Sequence, residues 1–170
     1  NNATTSCNFT STGIKNDITR GLISDTTYYL GGWNDNKIYS NQICEYERGT
    51  KVYTGRPTEW TGKIALAYPS DYGYAVDLSK CSQNLYNYDN STCTSNNWMK
   101  TIIAPNNGWL LTPYSGDASN AWSVYSSGFV GYYGNYAYCA YGVAPVLSLN
   151  SELAVKAGKG LSSAPYQLSA

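Results

Sequence analysis

Between Thr101 and Ser151 the chain carries a single carboxylate or base, Asp117, in runs broken every few residues by Gly, Ser, Asn or Pro. The runs "GWLLT", "AWSVY", "GFVGYY" and "YGVAPVLSL", followed by "LAVK", are short and apolar or alternating. Alternation places successive side chains on opposite faces of a strand, and the breakers supply turns, so this half predicts a compact antiparallel sheet built from hairpins. The first half reads differently. In "GIKNDITRGLI" the residues Ile14, Ile18 and Leu22 recur every four positions, one stripe of a short helix. A second helix is expected from Ser40 as N-cap through "NQICEYERG", stopped by Gly49. "TTYYLGGW" predicts a strand and a turn at Gly31–Gly32, and "GKIALAY" a strand broken at Pro69 and Gly73. Residues 68–74 then form a tight polar turn in which Asp71 accepts backbone hydrogen bonds. "DLSKCSQNLY" suggests a helical turn and "NYDNSTCTSNN" a loop. The expected class is α+β: two short helices early, then a small antiparallel sheet with long loops. With no repeat and no linker, residues 1–170 form one domain.

Composition narrows the partners. The 18 Tyr and 5 Trp stand against 2 Phe and 1 Met, a set of amphipathic rings suited to half-buried strands and contact surfaces. Formal charge is zero and only 13% of residues are charged. No basic face is visible, so neither nucleic acid nor anionic lipid is an expected partner. No run approaches the roughly 20 apolar residues of a membrane span, so no direct membrane contact is expected. The chain begins at Asn1 without an initiator Met and reads as a mature or trimmed segment, with any signal or anchor outside it.

The five cysteines include no CxxC, and the chain has no His, which argues against structural zinc. Two disulfides and one thiol imply an oxidising compartment. Cys81 and Cys93, flanking a polar loop, form the first expected pair; Cys7 with Cys44 is the second, and Cys139 is left over.

Without His, Ser–His and Cys–His catalysis is impossible. The carboxylate pairs Glu45 and Glu47, Asp71 and Asp77, and Asp35 and Glu59 have no spacing that separates them from solvated surface. "WND" at 33–35 is similar to a calcium-binding tripeptide of sugar-binding C-type lectins, but stands too early and lacks the upstream partner motif. No catalytic, metal or cofactor site is expected. The sequons at Asn2, Asn8 and Asn90 mean little in so Asn- and Thr-rich a chain.

Residues 108–147 interleave two populations. One is framework: Trp109, Leu110, Leu111, Pro113, Gly116, Ala121, Trp122, Val124, Gly128, Val130, Gly142, Val143, Pro145 and Val146. Trp122 is the expected central core aromatic. The other is Tyr114, Asp117, Ser119, Asn120, Ser123, Tyr125, Phe129, Gly131, Tyr132, Tyr133, Asn135, Tyr136, Tyr138, Cys139 and Tyr141. As a core the second set is incoherent; as a contact surface it is coherent, because Tyr offers large area at low entropy cost while Ser, Gly and Asn adapt their hydrogen bonds. Strand propensity accounts for the tyrosines but not for the Gly, Asn, Asp and Cys in equivalent slots.

"WTGKIALAYPSDYGYA", "GWLLTPYSG", "AWSVYSSGFV", "YGVAPVLSL" and the closing "GKGLSSAPYQL" resemble a family of bacterial surface proteins, the variable proteins of diversity-generating retroelements. The likeness covers roughly residues 26–168. It implies a C-type-lectin-like fold of the formylglycine-generating-enzyme type, with a variable region at about 108–147. In that system a reverse transcriptase replaces adenines, chiefly in AAY asparagine codons, which reaches every residue of the second population; Cys139 is then the outcome drawn at one slot. Members resembling this chain often follow a type IV pilin-like helix, implying surface assembly through a segment outside it. The expected function is display at the cell surface or outside the cell, recognising a variable protein or glycan. An oxidase of the formylglycine type would need a close cysteine pair holding copper, and only Cys139 lies in that region. The rival reading is a pilin or coat subunit whose tyrosine face is a fixed assembly interface.

Overall fold

A computed structural model describes residues 14, 17–35, 37–132, 136–161 and 163–169. Among these the architecture mixes helix and antiparallel sheet: helices α1 (Asp17–Gly21), α2 (Ser40–Glu47), α3 (Pro69–Tyr74), α4 (Ser91–Ser95) and α5 (Lys100–Ile103), with nine strands. The central strands are β3 (Ile64–Leu66), β4 (Gly108–Pro113), β5 (Ala121–Val124), β6 (Val130–Gly131) and β7 (Pro145–Leu147). β4, β5 and β6 form an antiparallel meander, and β3 pairs with β7 from Ile64–Leu147 to Leu66–Pro145. The Leu111 N–H donates to the Ala67 carbonyl at 2.9 Å, which joins the two ladders. β1 (Thr26–Tyr29) pairs with β2 (Glu59–Gly62), and β8 (Ala154–Ala157) with β9 (Gln167–Ser169). Residues 22–24 meet 148–150 through the Ser24 N–H to Ser148 O and Asn150 N–H to Leu22 O bonds, both 2.9 Å.

The alternation expected of the second half is present. Along β4, Gly108, Leu110 and Thr112 are buried and Trp109, Leu111 and Pro113 half-buried. Trp122 on β5 is fully buried, as its framework role requires, with Val124 and Val130 beside it. Its indole N–H donates to the Trp33 carbonyl at 3.3 Å, so the ring enters the core with its polar atom satisfied. Ile38, Ile43, Leu85, Tyr72 and Tyr88 complete the same cluster. The β5–β6 turn depends on Gly128, whose φ of +110° is a conformation that side chains disfavour. A Cβ there would also lie 2.1 Å from Thr94 Cγ2.

The helices differ from the sequence expectations in instructive ways. The stripe from Ile14 to Leu22 does not form the buried face of one helix: α1 has five residues, Ile18 is exposed, and Ile23 is the residue drawn into the interior, in a bridge to Leu149. α2 starts with Ser40 as its first helical residue, and Tyr39 takes the cap position; the Tyr39 N–H is satisfied by Gln42 Oε1 at 3.2 Å. The expected polar turn at 68–74 is helix α3, with Pro69 in the first turn, where its missing N–H is harmless. Asp71 does accept the Tyr68 N–H, at 2.9 Å, as a helix-start contact. The loop expected at 87–97 contains α4, started by Asn90, whose side chain accepts the Cys93 N–H at 2.9 Å. The helical turn expected near 77–86 appears as a 3-10 turn at Leu85–Asn87.

Cys81 and Cys93 form a disulfide with Cα atoms 5.0 Å apart, as suits a chain that folds in an oxidising compartment. Cys7, the expected partner of Cys44, lies outside the described residues, and Cys44 stands as a partly buried thiol. Among the described residues no helix is long and apolar enough to cross a membrane.

One carboxylate corrects the sequence reading outright. Glu47 is not on the solvated surface: at the end of α2 it is fully buried. Its carboxylate accepts the Ser70 N–H at 2.9 Å and the Ser70 hydroxyl at 2.5 Å, and Arg48 Nη1 lies 3.0 Å away. Burial pushes its pKa up to about 7, against the opposing pull of the Ser70 hydrogen bonds and Arg48. Glu47 thereby fastens α2 to the first turn of α3.

Candidate functional site

The loop 114–120, the strand end at Tyr132 and the segment 136–142 bring together most of the candidate contact residues. Tyr114 and Tyr132 stack with ring centroids 3.8 Å apart. A hydrogen bond with the Tyr114 hydroxyl, and then burial, push the Tyr132 phenol up to about 12. The loop is organised by Asp117: its Oδ1 accepts the N–H groups of Ser119 at 2.7 Å and Asn120 at 3.0 Å, and its Oδ2 accepts Asn120 Nδ2 at 2.7 Å. Although partial burial opposes it, this set of bonds holds the Asp117 carboxyl below the usual carboxylate range. Asn120 bridges to Tyr136, and the Ala137 N–H donates to the Ser119 carbonyl at 2.8 Å. Tyr136 and Tyr138 are exposed, their rings stacked at 5.3 Å and nearly parallel, with Cys139 partly buried beside them. The Cys139 N–H closes this bend on the Tyr136 carbonyl at 2.8 Å.

Other candidates lie elsewhere. Tyr125 and Phe129 stack at 4.1 Å across the β5–β6 turn, and Phe129 also meets Tyr86. That turn is at the far end of β5 from Asn120, roughly 13 Å along the strand. Ser123 and Gly131 are buried as cross-strand neighbours, so they support the sheet from within. Tyr141, within segment 136–142 itself, packs on Trp109 at 4.7 Å. Tyr133 and Asn135 lie outside the described residues. Val143 and Pro145, expected as scaffold, are exposed, Pro145 while paired with Leu66 in the β3–β7 ladder.

Segment 136–142 is anchored at both ends, by the Asn120–Tyr136 bridge and by the Trp109 N–H to Gly142 O bond of 2.9 Å. These anchors sit at opposite ends of β4, since Gly108 faces Val124 and Pro113 faces Ala121 across the β4–β5 ladder. Alongside β4 the segment borders a cleft of about 500 Å³ whose walls include Trp109, Leu111, Pro113, Ala137 and Val143.

The aromatic face also recruits residues that sequence reasoning set aside. Trp33, read as part of a chance "WND", forms a bridge to Tyr114, accepts the Ser115 N–H at 3.1 Å, and packs against Tyr46 at 3.9 Å. Its indole N–H is taken by the Asp35 carbonyl. The tripeptide is thus a buttress for the loop 114–120. No local signal in the first half could have placed it there, because the contact joins positions some 80 residues apart. Among the described residues no three metal-capable side chains converge. Comparisons with family models, with curated proteins and with solved structures give no match to this chain.

Proposed function

We propose that this chain is a surface-displayed binding protein with a C-type-lectin-like fold, of the kind diversified by adenine-directed mutagenesis. Its contact surface is built around Tyr114, Asp117, Ser119, Tyr132, Tyr136 and Tyr138. The observation that carries this reading is that part of the second population lies apart from the core framework, although Ser123 and Gly131 are buried in the sheet. Framework residues Leu110, Trp122, Val124 and Val130 fill the core. Many of the Tyr, Ser, Asp and Cys positions instead occupy the neighbouring loops 114–120 and 136–141, joined at Asn120–Tyr136. A surface that tolerates replacement needs this separation, since core volume changes cost several kcal/mol and exposed changes about half a kcal/mol or less. Rigid stacked rings beside adaptable polar groups also match the composition of antibody contact loops.

Sequencing the coding locus across a source population is the test. The expected result is variation confined to adenine-derived codons such as those of Tyr114, Tyr132 and Cys139, around constant Trp109, Trp122 and Gly142. A uniform locus with no nearby template copy would overturn the reading. The second reading, a pilin or coat subunit with fixed interfaces, is favoured by the β8–β9 hairpin, where Val155, Leu161, Tyr166 and Leu168 are all exposed. A two-stranded ribbon so open to water gains stability by packing on a neighbour.

A further inference from the structure

The chain just before β1 and the chain just after β7 are paired. The Ser24 N–H donates to the Ser148 carbonyl at 2.9 Å, and Ile23 bridges Leu149. From there the two strands part, β1 to pair with β2 and β7 to pair with β3. A cleft of about 370 Å³ occupies the parting, bordered by residues 26–29 and 146–148. That volume is within the range of sites that take small ligands. Its far end is crossed by the Tyr68 hydroxyl, which donates to the Tyr29 carbonyl at 2.8 Å. Residues 26–29 span roughly 10 Å, and with both ends stopped the cleft admits a small molecule rather than a strand threaded along it. The β1 edge is polar. Because the Leu30 N–H donates to the Thr58 carbonyl on the β2 side, alternation turns the main-chain groups of Thr27 and Tyr29 toward the cleft.

Two opposite charges border this cleft without meeting. The Arg48 side chain is 44% exposed, and its guanidinium lies over the Tyr68 ring, 5.0 Å from the centroid. Its Nη1 serves Glu47 Oε2 and the Cys44 carbonyl, while Nε and Nη2 make no hydrogen bond among the described residues. Asp71 is exposed; its Oδ2 accepts the Tyr68 N–H at 2.9 Å, and its Oδ1 accepts nothing among the described residues. Among those residues Arg48 pairs with Glu47 and not with Asp71. Both charges thus keep binding capacity beside one small cavity.

We infer that this cleft binds a free α-amino acid with an aliphatic side chain. The carboxylate lies on Arg48, the ammonium on Asp71, and the side chain against Leu66 and Val146. Charge decides the class. A planar guanidinium with two unused donor groups suits a carboxylate, and an unused carboxylate oxygen suits an ammonium. A carboxylate without an amine would face Asp71, and an amine without a carboxylate would face Arg48; like charges set together are penalised. A phosphate would bring still more negative charge beside Asp71, and a neutral sugar would use neither charge. The cleft shares no residue with the contact surface proposed above, so this inference does not rest on that reading.

The experiment is an NMR titration of the intact chain with three compounds, followed at the backbone amides of Thr27 and Val146. L-leucine carries both charges, 4-methylpentanoate lacks the ammonium, and 3-methylbutylamine lacks the carboxylate. The expected result is saturable shifts with L-leucine in the millimolar range, and binding about tenfold weaker for each truncated compound. Asp71→Asn, which keeps an acceptor for the Tyr68 N–H, should remove the preference for L-leucine over 4-methylpentanoate. Arg48→Gln should remove the preference over 3-methylbutylamine. Three results would each overturn the inference: no saturable shift at these amides, equal affinity for the three compounds, or a preference that survives its own folded variant. Should Arg48→Gln not fold, Asp71→Asn and the three compounds on the unmodified chain still decide. A uniform coding locus would leave this site standing, and a failed titration would leave the display reading untouched.

Discussion

The tyrosines around α3 and those of the 136–138 bend carry the same side chain in opposite settings. Tyr72 is fully buried and Tyr88 nearly so, and each hydroxyl is tied to a backbone carbonyl: Tyr72 to Gly128 at 2.8 Å and Tyr88 to Gly73 at 3.1 Å. Desolvation pushes both phenols above the usual tyrosine value. Tyr138 is 83% exposed and stacks on its neighbour Tyr136. Buried tyrosine therefore acts here as a large apolar residue with one satisfied polar atom, and the Tyr72–Gly128 bond also connects α3 to the β5–β6 turn. Exposed tyrosine adds little to the fold and leaves ring and hydroxyl available. A count of tyrosines cannot tell these roles apart.

Mutations sharpen the contrast. Trp122→Ala, at the centre of the buried region, should cost about 4 kcal/mol in chemical denaturation, because a fully enclosed indole leaves a cavity that its neighbours fill poorly. Replacing Cys81 and Cys93 by Ser should cost about 3 kcal/mol through the freed loop, read as a drop in the same midpoint.

Glu47 offers a pH test of the buried side. Its folded pKa, about 7, is above the ordinary 4.5, so between these values the folded state holds more protons than the unfolded one. The contribution is therefore present below about 4.5 and is lost as pH rises through 7, to a total of about 3 kcal/mol at most. Glu47→Gln, which keeps an acceptor for Ser70 and cannot ionise, should flatten denaturation midpoints across that window; an unchanged slope would place the titration elsewhere. Tyr72→Phe should cost about 1–2 kcal/mol by leaving the Gly128 carbonyl unpaired. Smallest of all, the double change of Tyr136 and Tyr138 to Ala should shift stability by no more than about 0.5 kcal/mol. A larger loss would show that the bend belongs to the core and would collapse the distinction.

Much of the sheet half was legible because its signals are local. Strand alternation, glycine and proline punctuation, and the Cys81–Cys93 pair flanking a polar stretch all depend on neighbours close in sequence. Helices were read less well: Asn90 and Pro69 start short helices whose few residues produce no periodicity, and Ile18 matched a stripe that the tertiary structure leaves in water. The candidate residues were legible as a composition but not as a surface. Ser119 is exposed, while its neighbour Asn120 and nearby Ser123 are buried, a difference that depends on the Asp117 loop and on β6 covering one edge of β5.

The amino-acid sequence by itself determined the antiparallel, hairpin-rich second half, the absence of histidine chemistry, one disulfide and Trp122 as a core ring. Only the tertiary structure decided that Glu47 is buried against Ser70, that Trp33 supports Tyr114, and that a cleft opens beside β4 with Asn120 on its wall. The reason is physical: propensity, turns and side-chain alternation act over a few residues, whereas burial, desolvation and the pairing of a polar atom depend on which distant segment packs against it.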